Sequence, residues 1–317
     1  MVVFLQIVGG LLLLFLGGEA LVRASVKIAK EYKISKLIIG VTIVAFGTSS
    51  PELLITLQAA LKESYDIALG NVIGSNIANS FLVLGLAAIL CPINVQKELV
   101  KFDFHYMLIA SLILFLFVMT GVISRVEGAI LIAILFVYTL STLKRHKNNN
   151  SDSLAQQVAE VEEQCFFEVT KNIAFIMLLI SVVFLTLGAN ILVNGASDLA
   201  RLFGVSEAAI AVTIVAIGGS APELATSVIA AYRKHSDIAV ANVVGSNIFN
   251  ILGVMGVSSI VTPVVTRSSL SFFDIWVMLF SAMLLYSFVR KKYIISRING
   301  IILCVFYALY IIWQFAI

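Results

Sequence analysis

Residues 41–92 read VTIVAFGTSSPELLITLQAALKESYDIALGNVIGSNIANSFLVLGLAAILCP, and residues 212–263 read VTIVAIGGSAPELATSVIAAYRKHSDIAVANVVGSNIFNILGVMGVSSIVTP. At a fixed offset of 171 the two segments lie on each other without a gap, identical at 26 of 52 positions. All four prolines of the chain fall in them as two matched pairs, Pro51/Pro222 and Pro92/Pro263. Two unrelated apolar helices would coincide at leucine and valine. Here the coincidences fall on Gly, Ser, Pro, Glu, Asp and Asn, so the chain carries an internal duplication.

Working outward, 60% of the 317 residues are hydrophobic, 12% are charged, and the mean hydropathy is +1.05. A soluble domain has about 45–50% apolar and about 25% charged residues. A chain this apolar has a bilayer as its solvent. Runs of about 20 apolar residues cross the hydrocarbon core as helices, and ten are readable: 2–22, 37–61, 67–91, 104–123, 127–143, 172–199, 205–232, 237–261, 270–289 and 293–316. The fold class expected is an all-α membrane protein. The opening MVVFLQIVGG lacks the positive stretch of a secretory signal, so the first run is expected to remain as a span.

The basic residues orient these spans. With the N-terminus outside, the inside segments hold 17 Lys and Arg, and the outside segments hold four: Lys62, Arg125, Arg201 and Arg267. The positive-inside rule therefore favours ten spans with both termini outside a cell membrane. The small net charge of +3 reports topology, and nucleic acid is not an expected partner. The one long polar connection, 144–171, carries Lys144, Arg145 and Lys147 and is expected in the cytoplasm; its Glu160, Glu162 and Glu163 read as a solvated face. It divides a first five-span half, 1–143, from a second, 172–317. Because five is odd, the second half enters the membrane from the opposite side. Inverted repeats with interrupted helices at their interface are a recurring plan of secondary transporters.

The chemistry sits in two motifs, each present twice. The second span holds Gly47-Thr48-Ser49-Ser50-Pro51-Glu52 and the seventh Gly218-Gly219-Ser220-Ala221-Pro222-Glu223. Proline lacks an N–H and crowds the carbonyl four residues back, at Gly47 or Gly218, so each helix is expected to break. Irregular backbone at membrane depth is tolerated only where protein or a wet cavity covers it. A glutamate follows each break, and an intramembrane carboxylate is a functional group by default. The third and eighth spans hold Asn71-Val-Ile-Gly74-Ser75-Asn76-Ile-Ala-Asn79 and Asn242-Val-Val-Gly245-Ser246-Asn247-Ile-Phe-Asn250. Ser75 and Asn79, like Ser246 and Asn250, are four apart and share a helical face. Gly74 and Gly245 would let neighbouring helices approach closely.

Together these are hard oxygen donors, a set that suits Ca²⁺ or Na⁺ rather than Zn²⁺ or Cu. Cys91, Cys165 and Cys304 have no CxxC spacing and read as neither a disulfide framework nor a metal site. Blander readings apply elsewhere. Small residues in spans usually pack, a lone intramembrane Asn can simply bridge two helices, and Asp66 and Asp237 stand where a helix N-terminus favours negative charge. The two glutamates resist such a reading, because at matched depth they repel unless a cation lies between them.

These residues resemble the sodium/calcium exchanger branch of the cation/Ca²⁺ antiporter superfamily, prokaryotic type, over both signature repeats and the ten-span layout. The resemblance implies central Ca²⁺ ligands at Glu52 and Glu223. It adds side-chain oxygens from Thr48, Ser49, Ser75, Ser220 and Ser246, backbone carbonyls from Ala45 and Ala216, and Asn79 and Asn250 to complete the set. Two positions depart from the pattern. Gly219 stands where the first repeat has Thr48, and Asn250 stands where close prokaryotic relatives and potassium-dependent exchangers carry aspartate. The proton-coupled branch usually has G-N-x-x-E where this chain has G-[TG]-S-x-P-E.

The expected function is antiport of Na⁺ against Ca²⁺ by alternating access, with no resident cofactor and no obligatory protein partner. The alternative within transport is a Ca²⁺/H⁺ or other cation/H⁺ antiporter. A membrane enzyme using the glutamates as acid and base lacks a nucleophile or metal constellation, and a channel would conduct without a counter-ion. Gly17 and Gly188 are cognate glycines of the first and sixth spans, and the resemblance implies that these two spans are the moving gate helices.

Overall fold

The structure is a computed structural model that describes residues 2–32, 35–148, 170–204, 216–266 and 269–316. The first and sixth helices, Val2–Tyr32 and Lys171–Leu202, are the longest and lie against each other. Small residues allow this. A Cβ on Gly10 would meet Leu192 N at 2.7 Å, and one on Gly188 would meet Leu14 N at 2.9 Å. At 31 and 32 residues both overrun the expected spans, because nothing in Arg23–Tyr32 breaks a helix once it leaves the apolar stretch.

Both Pro-Glu segments break. Ala45–Thr48 ends at Ser49 and Ser50–Leu61 resumes with Pro51 in its first turn; Ala216–Gly219 ends at Ser220 and Ala221–Tyr232 resumes with Pro222 likewise placed. Ser49 (φ −90°, ψ 8°) and Ser220 (φ −92°, ψ 12°) adopt the same conformation at the joints, and the first-half pair is bent by 44°. Proline at the start of a helix costs nothing, since that N–H has no intrahelical partner.

The GSN segments form the helices Tyr65–Ala78 and Ser236–Phe249. Each continues through a π-helical stretch, Asn79–Val83 or Asn250–Met255, into Leu84–Leu90 or Gly256–Val261. A third π-helical stretch, Gly40–Val44, precedes the first break. The sequence reading did not foresee these; π-bulges have no compositional signature and gather at functional sites. The Tyr65–Leu90 and Ser236–Val261 stretches are buried over most of their length and form the centre of the molecule, while the other long helices present an apolar face outward. Asp66 and Asp237 stand in the first turns of the two central helices.

The outer helices are Asp103–Met119, Arg125–Asn148, Ser269–Lys292 and Arg297–Ala316. Two-residue strands join the halves: β1 (Ile93–Asn94) pairs antiparallel with β4 (Ile294–Ile295), and β2 (Val122–Ile123) with β3 (Val264–Val265). These ribbons are the small exception to the all-helical expectation. Capping is repeated as well: Glu127 accepts from Ser124 N at 2.6 Å, and Asn299 from Ser296 N at 3.0 Å.

Among the described residues, eight helices are individually long and apolar enough to cross a membrane, and the bent pair makes nine. The seventh expected span, 205–232, begins outside the described residues, as does most of the 144–171 connection; Arg125–Asn148 runs five residues into the latter.

Gly245 lies where a Cβ would meet Val41 O at 2.6 Å and Val41 Cα at 2.7 Å. A Cβ on Gly74, by contrast, would meet nothing within 4 Å among the described residues. Gly245→Ala should therefore force backbone apart and cost about 1–3 kcal/mol, read as a lowered Tm in detergent relative to an outward-facing Ala substitution such as Leu54→Ala.

Candidate cation site

The two breaks deliver Glu52 and Glu223 into the interior, each in the first turn of a helix, where the helix dipole favours a negative charge. Glu52 is 1% exposed and Glu223 0%. Ser49 donates across the repeats to Glu223 Oε1 at 3.0 Å. Glu223 Oε2 and both oxygens of Glu52 have no hydrogen-bond partner among the described residues. A buried carboxylate is normally paired or fully hydrogen-bonded, and these two are not.

Other residues of the two motifs share this state. Ser220 Oγ, Asn250 Oδ1, and both Oδ1 and Nδ2 of Asn79 are buried without a partner among the described residues. Buried polar groups almost always find one, so orphans at motif positions of both repeats call for an explanation. Asn250 shows its orientation most clearly. Ser75 donates to Val72 O at 3.1 Å and accepts Asn250 Nδ2 at 3.0 Å, which leaves Asn250 Oδ1 as the free end of the amide.

Thr48 lies 3.4 Å from Ser246 Oγ and 3.3 Å from each of Ala45 O and Asn242 Oδ1, so its hydroxyl ties the first break to the eighth helix. Ala45 O also accepts Ser49 N at 3.0 Å. Hydrogen bonds thus bring together Ala45, Thr48, Ser49, Glu223 and Ser246, and separately Ser75 and Asn250. Glu52, Asn79 and Ser220 are buried as orphans with no such tie. Ala216 opens the short helix before the second break, and its side chain lies outside the described set.

The sequence reading quoted Asn71 and Asn242 but gave them no role. In the structure they brace the site. Asn71 Nδ2 donates to Thr56 Oγ1 at 2.9 Å and Glu52 O at 3.3 Å, and Asn242 Nδ2 donates to Ser227 Oγ at 3.1 Å. The signal was available, because Asn71/Asn242 is one of the identical pairs of the repeat. Asn247 fits the bland reading, bridging to Ser80 at 2.9 Å. Gly219 has no hydroxyl, so Asn71 lacks the contact that Thr48 gives Asn242.

The profile of the sodium/calcium exchanger protein family matches residues 2–144 and 173–316. The chain belongs to this family. It is 30% identical to the sodium/calcium exchanger MaX1 of Methanosarcina acetivorans over 99% of both chains, and 36% identical to the inner membrane protein YrbG of Escherichia coli over 80% of this chain and 78% of that one. Its structure matches a solved structure of the sodium-calcium exchanger NCX_Mj with a TM-score of 0.81, at 30% identity and 98% coverage of both. This family member is an integral membrane protein and a cation/Ca²⁺ antiporter.

Proposed function

We propose that the chain exchanges Na⁺ for Ca²⁺ by alternating access, binding both at the cluster around Glu52 and Glu223. The observation that carries this is the set of buried, unpartnered oxygens: both of Glu52, one of Glu223, and those of Ser220, Asn79 and Asn250. Thr48, Ser49, Ser75, Ser246 and the carbonyls of Ala45 and Ala216 complete the ligand set. All are hard oxygens, matched to Ca²⁺ and Na⁺. Family membership supports the transport class, and the exchanger names of MaX1 and NCX_Mj support these ions.

Coupling follows from electrostatics. Two carboxylates balance one Ca²⁺, or several Na⁺ with charge to spare, so the ions compete for one pocket. An empty pocket leaves two buried charges uncompensated, which costs several kcal/mol. Occlusion is thus favourable only around ions, and the carrier returns loaded. A ligand moves such an equilibrium only through its different affinity for the two states.

The architecture in this reading is ten transmembrane helices in two inverted five-helix repeats, in the cell membrane, with both termini outside and 144–171 cytoplasmic. The paired breaks, paired π-helical stretches and two cross-half ribbons support it. Cysteines at Lys147 and Gly121 should then label from opposite faces of the membrane, with 147 cytoplasmic; same-face labelling would overturn the span count.

Glu52→Gln and Glu223→Gln should each reduce Na⁺-driven ⁴⁵Ca²⁺ uptake in proteoliposomes to background while the protein remains monodisperse. Wild-type uptake in either would remove the carboxylate from the site. Uptake driven by a pH gradient without Na⁺ would favour a cation/H⁺ antiporter instead.

Asn250 offers oxygen without charge or titration. Exchange is therefore expected to need no K⁺. Asn250→Asp loses the donor to Ser75 and adds a third titrating carboxylate. Flux should then fall more steeply than in the wild type as pH drops, because protons compete with cations for more groups. A strict K⁺ requirement in the wild type would contradict this account.

A further inference from the structure

The repeat relates two surfaces that differ in the structure. Gly17 packs against Leu185 and Gly188 against Leu14, contacts that exchange at the offset of 171, so the first and sixth helices are equivalent elements. Their seams with the Pro-Glu helices are not equivalent. A Cβ on Gly18 would meet Ile229 Cδ1 at 2.6 Å and Ala225 O at 3.4 Å, so the first helix lies down on Ala221–Tyr232. Thr226 and Ile229 on that helix are buried, whereas their counterparts Ile55 and Gln58 on Ser50–Leu61 are exposed. One seam is shut and its mirror image is not.

The shut seam ends in a charge cluster. Glu19 Oε1 accepts Arg233 Nη2 at 2.7 Å, Glu19 Oε2 accepts Arg233 Nε at 3.1 Å, and Arg23 Nε adds a bond to Oε1 at 2.6 Å. The Glu19 side chain is only 14% exposed. This two-point fork between guanidinium and carboxylate is the strongest common form of ion pair. It joins the first helix to the helix that carries Glu223. At the offset of 171, Glu19 becomes Asn190, Arg23 becomes Asn194, and Arg233 becomes Lys62. At the equivalent positions of the mirror seam, Lys62 stands opposite Asn190 in the repeat pattern, where Arg233 has Glu19.

We propose that the Glu19–Arg233 pair is a one-sided lock that holds the Arg233 end of the transporter shut and sets its resting state. The inference rests on the alternating-access reading above. Inverted repeats make the two access states alike in energy wherever the halves match, so the bias between them comes from positions where they differ. A charge pair present in one seam and absent from its mirror is such a position. In the proposed topology the shut end is cytoplasmic, so the site rests open to the outside. Arg23 holds Glu19 in place from the following turn of its own helix, four residues away, where side chains meet.

The test uses the full chain in liposomes, with Cys91, Cys165 and Cys304 replaced by serine. Spin labels go on two repeat-related pairs of sites, Lys27/Lys234 across the shut seam and Glu63/Asp198 across its mirror. The first pair should give a short, narrow distance and the second a longer one. Glu19→Gln should raise the fraction with a long first distance roughly two- to five-fold and shorten the second in step. Arg233→Gln provides the same test should the first variant fail to fold. The double exchange Glu19→Arg with Arg233→Glu should restore the wild-type distribution. Unchanged distances in both single variants overturn the lock, as does a double exchange no closer to wild type than either single. Na⁺-driven ⁴⁵Ca²⁺ flux of the wild type in the same liposomes is read separately. Absent flux with responsive distances refutes the ion assignment alone, and normal flux with unresponsive distances refutes the lock alone.

Discussion

Two carboxylates buried at the starts of two broken helices, with three of their four oxygens unpaired among the described residues, are the constraint on which the remaining architecture turns. Such groups would be expelled from a packed interior unless the fold held them there. It does so with the Pro-Glu joints, which place each glutamate in a first helical turn. The cross-half contact from Ser49 to Glu223 fixes one joint relative to the other. The proposed cations supply the missing compensation, so the empty protein stores an electrostatic cost that binding releases.

Around that centre the two halves contribute unequally. Thr48 reaches Asn242 and Ser246 on the eighth helix, while Gly219 has no hydroxyl to send to the third. Asn250 donates to Ser75, whereas Asn79 is buried with neither end of its amide engaged among the described residues. Duplication therefore produced a site with a two-fold plan and one-fold chemistry. In the proposed exchange such a site would bind different numbers of differently charged ions in the same space. The same inequality recurs at the periphery, where Glu19 and Arg233 meet and their repeat-related residues are Asn190 and Lys62.

The close approach of backbones makes this geometry rigid. Gly245 against Val41, Gly85 against Gly300 and Gly128 against Gly256 leave no room for a methyl group. The central helices are thus held at backbone contact. Gly10, Gly17 and Gly188 play the same part between the two long helices.

Much was legible in the residues alone. Membrane embedding follows from composition, the duplication from matched prolines and polar residues, and the breaks from Pro51 and Pro222, because each rests on local chemistry or on self-comparison. The carboxylates and their serine and asparagine neighbours were legible for the same reason: a polar group in an apolar helix has few explanations. Tertiary structure alone decided which of these groups face one another. Nothing in the spacing says that Ser49 would serve Glu223 rather than Glu52, or that Asn71 and Asn242 would brace the site. Nor does it foretell a π-helical turn at Asn79 and Asn250. Those outcomes depend on how helices far apart in sequence pack across the repeat interface, and a one-dimensional pattern encodes the face a residue occupies but not the partner that meets it.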